Sequence, residues 1–213
     1  MIRVQTDLSR NLIAVAISLL VFVACTVRAA DSGVVLQYHR ISDDGPAVTR
    51  TSVEEFTDHL RLIERLGFVV LPLADLVNAV CDPGSEHGSA LAITFDDAHI
   101  SVYEKAWPLL RTAGLPFTVF VNTAAVDESH AGTMSWDQLR ELAAQGVTLG
   151  NHGVDHHHLI RNRSGREQSA WRQWVVEQVT RAQQRIDQEL GPQAPVFAYP
   201  YGEYDLSTTR VLA

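Results

Sequence analysis

Cysteine is scarce in this chain, whose 213 residues include only two, Cys25 and Cys81. Cys25 lies inside a predicted N-terminal export signal, so removal of that signal would leave Cys81 alone, and no internal disulfide could form. Many secreted proteins rely on disulfides for stability. We therefore expect this fold to depend on its apolar core, or on a bound metal ion.

Positive charge is also in short supply. Lysine and arginine together number 17, against 25 aspartates and glutamates, which gives a formal net charge of −8. Binding to nucleic acid needs grouped lysine and arginine side chains that neutralise phosphates. The composition therefore argues against nucleic acid as a partner and is compatible with a neutral or cationic ligand.

Two catalytic motifs are absent from the sequence. Without H-E-x-x-H, the chain lacks the paired histidines and the glutamate of the zincin proteases. Without G-x-S-x-G, it lacks the nucleophile elbow of the serine esterases. Neither class of enzyme is supported.

Residues 1–30 have the pattern of a signal peptide. Arg3 and Arg10 precede the apolar run "NLIAVAISLLVFVACTV", and the small residues of "RAA" follow it, which predicts cleavage near Ala29 or Ala30 and a secreted or periplasmic protein. Two alternatives place the protein at a membrane: an uncleaved N-terminal anchor, or a lipid attached to Cys25, because "FVAC" is similar to a bacterial lipobox.

The remaining residues, 31–213, predict one α/β domain. Strand-like apolar runs alternate with amphipathic helical stretches, an order that favours parallel strands joined by crossover helices. The strand candidates are "VVLQYH", "FVVL", "LAITFDD", "PFTVFVN", "VTLGNH" and "VFAYPY". Ser52 with Glu55 predicts a capped helix that ends at Gly67, Ser135 predicts the start of a second, and a long third helix is expected to end at Gly191.

Polar residues gather where these predicted strands end. Parallel α/β sheets collect their active-site groups at this edge. The residues at such positions are His39, Asp96, Asp97, Asn122, His152 and Tyr201.

Asp96 and Asp97 are neighbours on an extended segment, so their side chains point to different sides. One can bind a metal ion while the other stays free as a general base. When this stretch is considered without the rest of the sequence, a simpler interpretation is also open, in which the two aspartates cap the following helix. His152 and His156 weaken it, because a four-residue spacing at a strand-to-helix turn can put both imidazoles on one face.

Asp97, His152 and His156 would supply three ligands and leave one position open for water and substrate, which is the pattern of a catalytic metal site. One divalent metal ion is expected. Carboxylate and imidazole ligands suit zinc, and also iron, cobalt or nickel. Such an ion lowers the pKa of water and polarises a carbonyl group, so hydrolysis is the reaction class that follows.

The motifs "TFDD", "NHGVDHHHL" and "FAYPYGEYD" occur in this order along the chain. Together they resemble the first three motifs of the polysaccharide deacetylases, the NodB-homology group or carbohydrate esterase family 4, over about residues 33–205. The resemblance implies a distorted (β/α) barrel that removes acetyl groups from an N-acetylated polysaccharide. It implies that Asp96 is the general base and that the backbone N–H of Tyr201 helps to form the oxyanion hole. It assigns the metal to Asp97, His152 and His156.

The opening strand "VVLQYHRI" resembles the branch of this family that deacetylates poly-β-1,6-N-acetylglucosamine, the biofilm exopolysaccharide. In that branch the motif order is permuted and the acid histidine comes first, so the match implies that His39 protonates the departing amine. A histidine packed behind Tyr38 in the strand is the structural alternative. Chitin or peptidoglycan is the other substrate class, and a non-catalytic glycan-binding remnant is the alternative outside the enzymes.

The chain also departs from the family pattern. Ala198 stands where many members have an arginine that positions the catalytic aspartate, and Ala98 replaces the glycine that usually follows the paired aspartates. Because the chain stops shortly after the third motif, we expect a barrel that is incomplete at the C-terminus. Pro200, Tyr201 and Trp136 are the predicted substrate-binding residues.

The histidine-rich stretch from Asn151 to Ile160 leaves the second histidine ligand open. The usual spacing selects His156, and a spacing longer by one residue would select His157. His158, and whichever of the two is not a ligand, are expected to face solvent.

Overall fold

A computed structural model describes residues 33–81 and 89–212 of the chain. The predicted signal peptide or anchor, with Cys25, lies outside the described residues. Within the described ranges, no helix combines the length and the apolar character that a membrane crossing requires.

The centre of the fold is a parallel sheet, and two further strands form a small separate parallel pair. The strands are β1 (Gly33–Tyr38), β2 (Arg40–Ile41), β3 (Arg50–Thr51), β4 (Val69–Val70), β5 (Ala90–Phe95), β6 (Thr118–Val121) and β7 (Thr148–Asn151). The sheet has the order β1-β5-β6-β7, with β4 paired to the first two residues of β5, and the separate pair consists of β2 and β3. The predicted α/β class with parallel strands is confirmed.

Helices connect the strands in the expected alternation. They are α1 (Val53–Leu66), α2 (Leu73–Cys81), α3 (Trp107–Ala113), α4 (Thr123–Asp127), α5 (Trp136–Ala144), α6 (Gln168–Leu190) and α7 (Leu206–Leu212). A π-helical turn over Val102–Ala106 leads into α3, and single 3₁₀ turns lie at Arg161–Arg163 and Pro200–Gly202.

The predicted helix boundaries are mostly confirmed. The Ser52 hydroxyl accepts a hydrogen bond from the Glu55 N–H at 3.1 Å, and the Glu55 carboxylate accepts one from the Ser52 N–H at 2.8 Å, which is a capping box. Gly67 ends α1 in the left-handed conformation. Ser135 caps α5 in the same way as Ser52 caps α1. The long helix α6 ends at Gly191, as predicted.

The predicted strand "VFAYPY" is reduced to one bridge, in which Phe197 pairs with Asn151 in parallel. Main-chain hydrogen bonds of 2.9 and 3.0 Å join Asn151 to Val196 and Ala198 on either side of that bridge. The chain then turns at Pro200, because proline has no N–H for a strand ladder. The full-length sixth strand was therefore a wrong prediction, although the segment still borders β7.

An aromatic core fastens β1 and β5 to α1. Tyr38 stacks on Phe95 at 5.5 Å between ring centroids and meets Phe56 edge-on at 5.2 Å. Burial raises the pKa of Tyr38 to about 12, and its hydroxyl lies 3.1 Å from Nδ1 of His59. All six residues of β5 are buried, so this strand is the centre of the sheet.

We predict that Gly150→Ala destabilises the fold. A Cβ atom at this position of β7 would lie 2.6 Å from two ring atoms of Phe120 and 3.0 Å from Val196. Overpacking of this kind typically costs about 1–3 kcal/mol of unfolding free energy. Chemical denaturation should show the loss. The same substitution should cost less in a Phe120→Leu background, and an equal cost in both backgrounds would contradict the steric explanation.

Candidate active site

The predicted site residues lie at the carboxyl edge of the sheet. His39 directly follows β1, the pair Asp96 and Asp97 follows β5, and His152 follows β7. The Asp96 N–H donates to the Tyr38 carbonyl at 2.9 Å, and the His152 N–H donates to the Val121 carbonyl at 3.0 Å. The main-chain hydrogen bonding of the sheet thus continues one residue past β5 and β7. It places the side chains of Asp96 and His152 at the same edge of the sheet.

Three predicted ligands come together there. Oδ1 of Asp97 lies 3.6 Å from Nε2 of His152 and 3.3 Å from Nε2 of His156, and all three ligand atoms lie within 4.8 Å of one another. Ligand atoms around a tetrahedral zinc ion with bonds of 2.0–2.1 Å are about 3.3 Å apart. Oδ1 of Asp97 is buried and has no hydrogen-bond partner among the described residues. The donor set therefore fits a divalent metal ion.

The imidazole of the candidate ligand His152 is oriented by a main-chain carbonyl group. Its side chain is 1% exposed, and its Nδ1–H donates to the Ala198 carbonyl at 2.9 Å. A carbonyl oxygen can only accept, so this hydrogen bond places the proton on Nδ1 and leaves the Nε2 lone pair free toward Asp97. Such a hydrogen bond is the usual way in which a ligating histidine is oriented.

The structure brings His156, rather than His157, to Asp97. Burial lowers the pKa of His156, although Asp97 opposes the shift, and this favours the neutral imidazole that a metal ion needs. The side chain of His157 is 53% exposed, with Nε2 3.9 Å from the Asp155 carboxylate and its ring 6.1 Å from that of Trp174.

Four residues at the site have positive φ angles, which is uncommon for residues other than glycine. They are Asp97 (67°), Ala98 (48°), His156 (52°) and Tyr201 (59°). Ser129 is the other such residue in the described ranges. Each conformation of this kind costs about 1–3 kcal/mol and is held by its surroundings. At Ala98 it explains why glycine is usual there, and the Ala98 carbonyl is tied to the Met134 N–H at 2.9 Å.

Asp96, the neighbour of the candidate ligand Asp97, is buried, with 3% of its surface exposed. Its Oδ2 accepts a hydrogen bond from Nε2 of Gln37 and lies 4.0 Å from Nε2 of His39. Its Oδ1 is buried without a hydrogen-bond partner among the described residues. Gln37 was not among the predicted site residues, because nothing in "LQYH" distinguishes it from a strand residue in contact with solvent.

Tyr201 lies in the 3₁₀ turn that begins at the buried Pro200, beside the candidate ligand His156. Its ring packs edge-on against His156 at 4.5 Å and stacks on His158 at 3.7 Å. Nδ1 of His158 is 3.0 Å from a carboxylate oxygen of Glu203. The side chain of His158 is 30% exposed, so it faces solvent only in part, because Tyr201 covers one face of its ring.

Trp136 has other partners. Its indole N–H donates to Asp127 at 2.8 Å, and the Arg185 guanidinium lies 4.9 Å from its ring centroid. None of these contacts joins it to the three candidate metal ligands. Its role in substrate binding stays a prediction.

Comparison with known proteins identifies the family to which this α/β fold and its candidate site belong. The sequence pattern of the family described as polysaccharide deacetylase matches residues 84–213, more than half of the chain. The chain therefore belongs to the polysaccharide deacetylase family.

Two relatives illustrate the range of similarity. YxkH of Bacillus subtilis (strain 168), a polysaccharide deacetylase by name, is 23% identical over 176 residues, which cover 83% of this chain and 59% of the relative. The poly-β-1,6-N-acetyl-D-glucosamine N-deacetylase of Staphylococcus aureus (strain MRSA252) is 26% identical over 114 residues, which cover 52% of this chain and 39% of the relative. The match thus spans about three fifths of the length of the Bacillus relative and about two fifths of the length of the staphylococcal one.

Solved structures show the same fold. IcaB from Ammonifex degensii has a TM-score of 0.74 and 28% identity, covering 85% of this chain and 79% of that one. The deacetylase PplD of Streptococcus pyogenes, in complex with acetate, has a TM-score of 0.72 and 21% identity, covering 84% and 78%. These neighbours confirm the predicted NodB-type, (β/α) barrel-like fold.

We predict that His156→Ala lowers the affinity for Zn²⁺ by at least about tenfold, because it removes one of three protein ligands. His157→Ala is the matched control, since its imidazole points to Asp155 and Trp174, and its affinity should stay within about twofold of the parent. Isothermal titration calorimetry with Zn²⁺ measures both. A larger loss in His157→Ala than in His156→Ala would show that the ligand is His157.

Proposed function

We propose that this protein is a metal-dependent hydrolase that removes N-acetyl groups from an N-acetylglucosamine polysaccharide, with poly-β-1,6-N-acetylglucosamine of the biofilm matrix as its substrate. The observation that carries the proposal is the convergence of Asp97, His152 and His156 beside the buried carboxylate of Asp96. A divalent ion held by the three ligands would lower the pKa of water and polarise the acetamide carbonyl.

The residues around the ligands supply the remaining chemistry. Oδ1 of Asp96 accepts a proton from the attacking water, whose oxygen adds to the acetamide carbonyl carbon. The Tyr201 N–H donates to the oxyanion that develops on the carbonyl oxygen. His39 then gives a proton to the nitrogen as the C–N bond breaks, so that acetate and a free amine leave.

His39 is well situated to act as that acid. It follows β1 directly, its side chain is 33% exposed, and its Nε2 is 4.0 Å from Oδ2 of Asp96. This exposure and the proximity to Asp96 support the catalytic role of His39 over a histidine packed behind Tyr38. The acid and the base come from neighbouring strands of the sheet.

The choice of substrate rests on similarity to relatives. The staphylococcal relative is named for poly-β-1,6-N-acetyl-D-glucosamine, and IcaB is 28% identical to this chain. The bound acetate of PplD is what a deacetylase would release, which supports the reaction class. The presence of Ala198 in place of an arginine favours the second candidate, a non-catalytic glycan-binding protein.

Acetate release separates these possibilities. The purified protein, loaded with Zn²⁺, is incubated with N-acetylglucosamine oligomers of β-1,6 and of β-1,4 linkage, and free acetate is measured. The proposal expects release from the β-1,6 oligomers. Release from β-1,4 oligomers alone would point to chitin or peptidoglycan, and bound metal with no release from any oligomer would support the glycan-binding candidate.

We predict that Asp96→Asn lowers kcat for acetate release by about a hundredfold or more, because an amide oxygen cannot accept the proton from water. Metal content should be unchanged, since Asp96 is not a ligand. Undiminished release in this variant would refute the assigned base.

We predict that His39→Ala lowers kcat by about a hundredfold with metal retained, because the departing nitrogen loses its proton donor. His130→Ala serves as the control, since His130 is an exposed histidine paired with Glu128 at 2.8 Å. Equal turnover in the two variants would remove His39 from the mechanism.

We also propose that the protein acts outside the cytoplasm, in the periplasm or secreted, as the pattern of residues 1–30 indicates. Mass spectrometry of the mature N-terminus would test this. Cleavage near Ala29 or Ala30 supports the proposal, whereas an intact N-terminus or a lipid on Cys25 would indicate membrane attachment.

A further inference from the structure

The catalytic aspartate has lost the side chain that usually positions it in this family. Ala198 occupies the position of the arginine, and an alanine methyl group donates no hydrogen bond. The main chain of Ala198 has other partners, since its carbonyl accepts from His152 and its N–H donates to Asn151. Asp96 is nevertheless buried, and a buried carboxylate needs hydrogen-bond donors.

Gln37 supplies such a donor from β1. The parallel register pairs Gln37 with Thr94 and Tyr38 with Phe95, and the Asp96 N–H donates to the Tyr38 carbonyl at 2.9 Å. Alternate residues of a strand point to opposite faces. Tyr38 enters the aromatic core, so Gln37 points to the other face, where its Nε2 donates to Oδ2 of Asp96.

The two oxygens of Asp96 consequently differ. Oδ2 has the Gln37 amide, whereas His39 at 4.0 Å is too distant from Oδ2 for a hydrogen bond. Oδ1 is buried and has no partner among the described residues. The torsion that exchanges these oxygens is soft in aspartate, so without a donor on Oδ2 the carboxylate could rotate.

We propose that Gln37 is the positioning residue of this site, and that its amide holds Oδ2 of Asp96 so that Oδ1 faces the attacking water. This role rests on the proposed deacetylase function. The neutral side-chain amide of Gln37 replaces the missing arginine as the hydrogen-bond donor to Asp96. Gln37 lies near the start of the domain sequence, whereas the position of the arginine lies near its end. It does not touch the reacting atoms and acts only through Asp96.

Steady-state kinetics with the Zn²⁺-loaded protein and β-1,6 oligomers test this role. Gln37→Met keeps the size of the side chain and removes the donor, and should lower kcat about tenfold or more while KM changes less than twofold, because substrate binding is intact. Gln37→Arg restores an N–H donor and should recover most of the lost kcat. Metal content should be unchanged in both.

Val35→Ala is the matched control, because Val35 lies on the same face of β1, is 49% exposed, and has no polar side-chain group. It should leave kcat within about twofold of the parent. An unchanged kcat in Gln37→Met, or an equal loss of kcat in Val35→Ala, would overturn the proposal. It would also be overturned if Gln37→Arg had a kcat no higher than that of Gln37→Met, or if Gln37→Met lost its metal.

A measurement that does not need turnover keeps this proposal separate from the proposed function. The side-chain amide of Gln37 can be identified in a ¹H–¹⁵N NMR spectrum by its disappearance in Gln37→Met. Its signals should shift in Asp96→Ala and stay in place in Val35→Ala. Unshifted signals in Asp96→Ala would refute the hydrogen bond, whereas absence of acetate release by the parent protein, with the shift present, would refute only the deacetylase function.

Discussion

The parallel register of the central sheet is the constraint on which the site depends. It ends β1, β5 and β7 at one edge and continues for one residue beyond β5 and β7, through the hydrogen bonds that Asp96 and His152 donate to Tyr38 and Val121. A shift of register by one residue would turn every side chain to the opposite face. The aromatic contacts of Tyr38 with Phe56 and Phe95 hold the register on the other side of the sheet.

The same edge concentrates features that are unfavourable for stability. Positive φ angles at Asp97, His156 and Tyr201 cost free energy in this arrangement, and so does a buried oxygen on each of the two aspartates that has no hydrogen-bond partner in the described part of the chain. A bound cation would compensate for Oδ1 of Asp97, and an incoming water molecule would compensate for Oδ1 of Asp96. The unfavourable features therefore coincide with the places where ligands would bind, which is common at functional sites.

Much of the fold could be predicted because it depends on local patterns. The capping residues Ser52 and Ser135 set their helices through side chains three residues apart, and the buried β5 follows from an uninterrupted apolar run. The sixth strand was wrong since Pro200 cannot join a ladder. The contact between His158 and Tyr201 could not be predicted, because the two residues are 43 positions apart and no periodic sequence pattern indicates such a contact.

By itself, the sequence determined the alternation of strands and helices, the family motifs, and the candidate ligands Asp97 and His152 with a choice between His156 and His157, because these depend on spacing within short segments. Only the tertiary structure decided between His156 and His157, since a positive φ at His156 turns one ring toward Asp97 and leaves the other outside. The tertiary structure also selected Gln37 as the partner of Asp96. These two residues are 59 positions apart, and only the pairing of β1 with β5 brings an amide to a carboxylate across that distance in sequence.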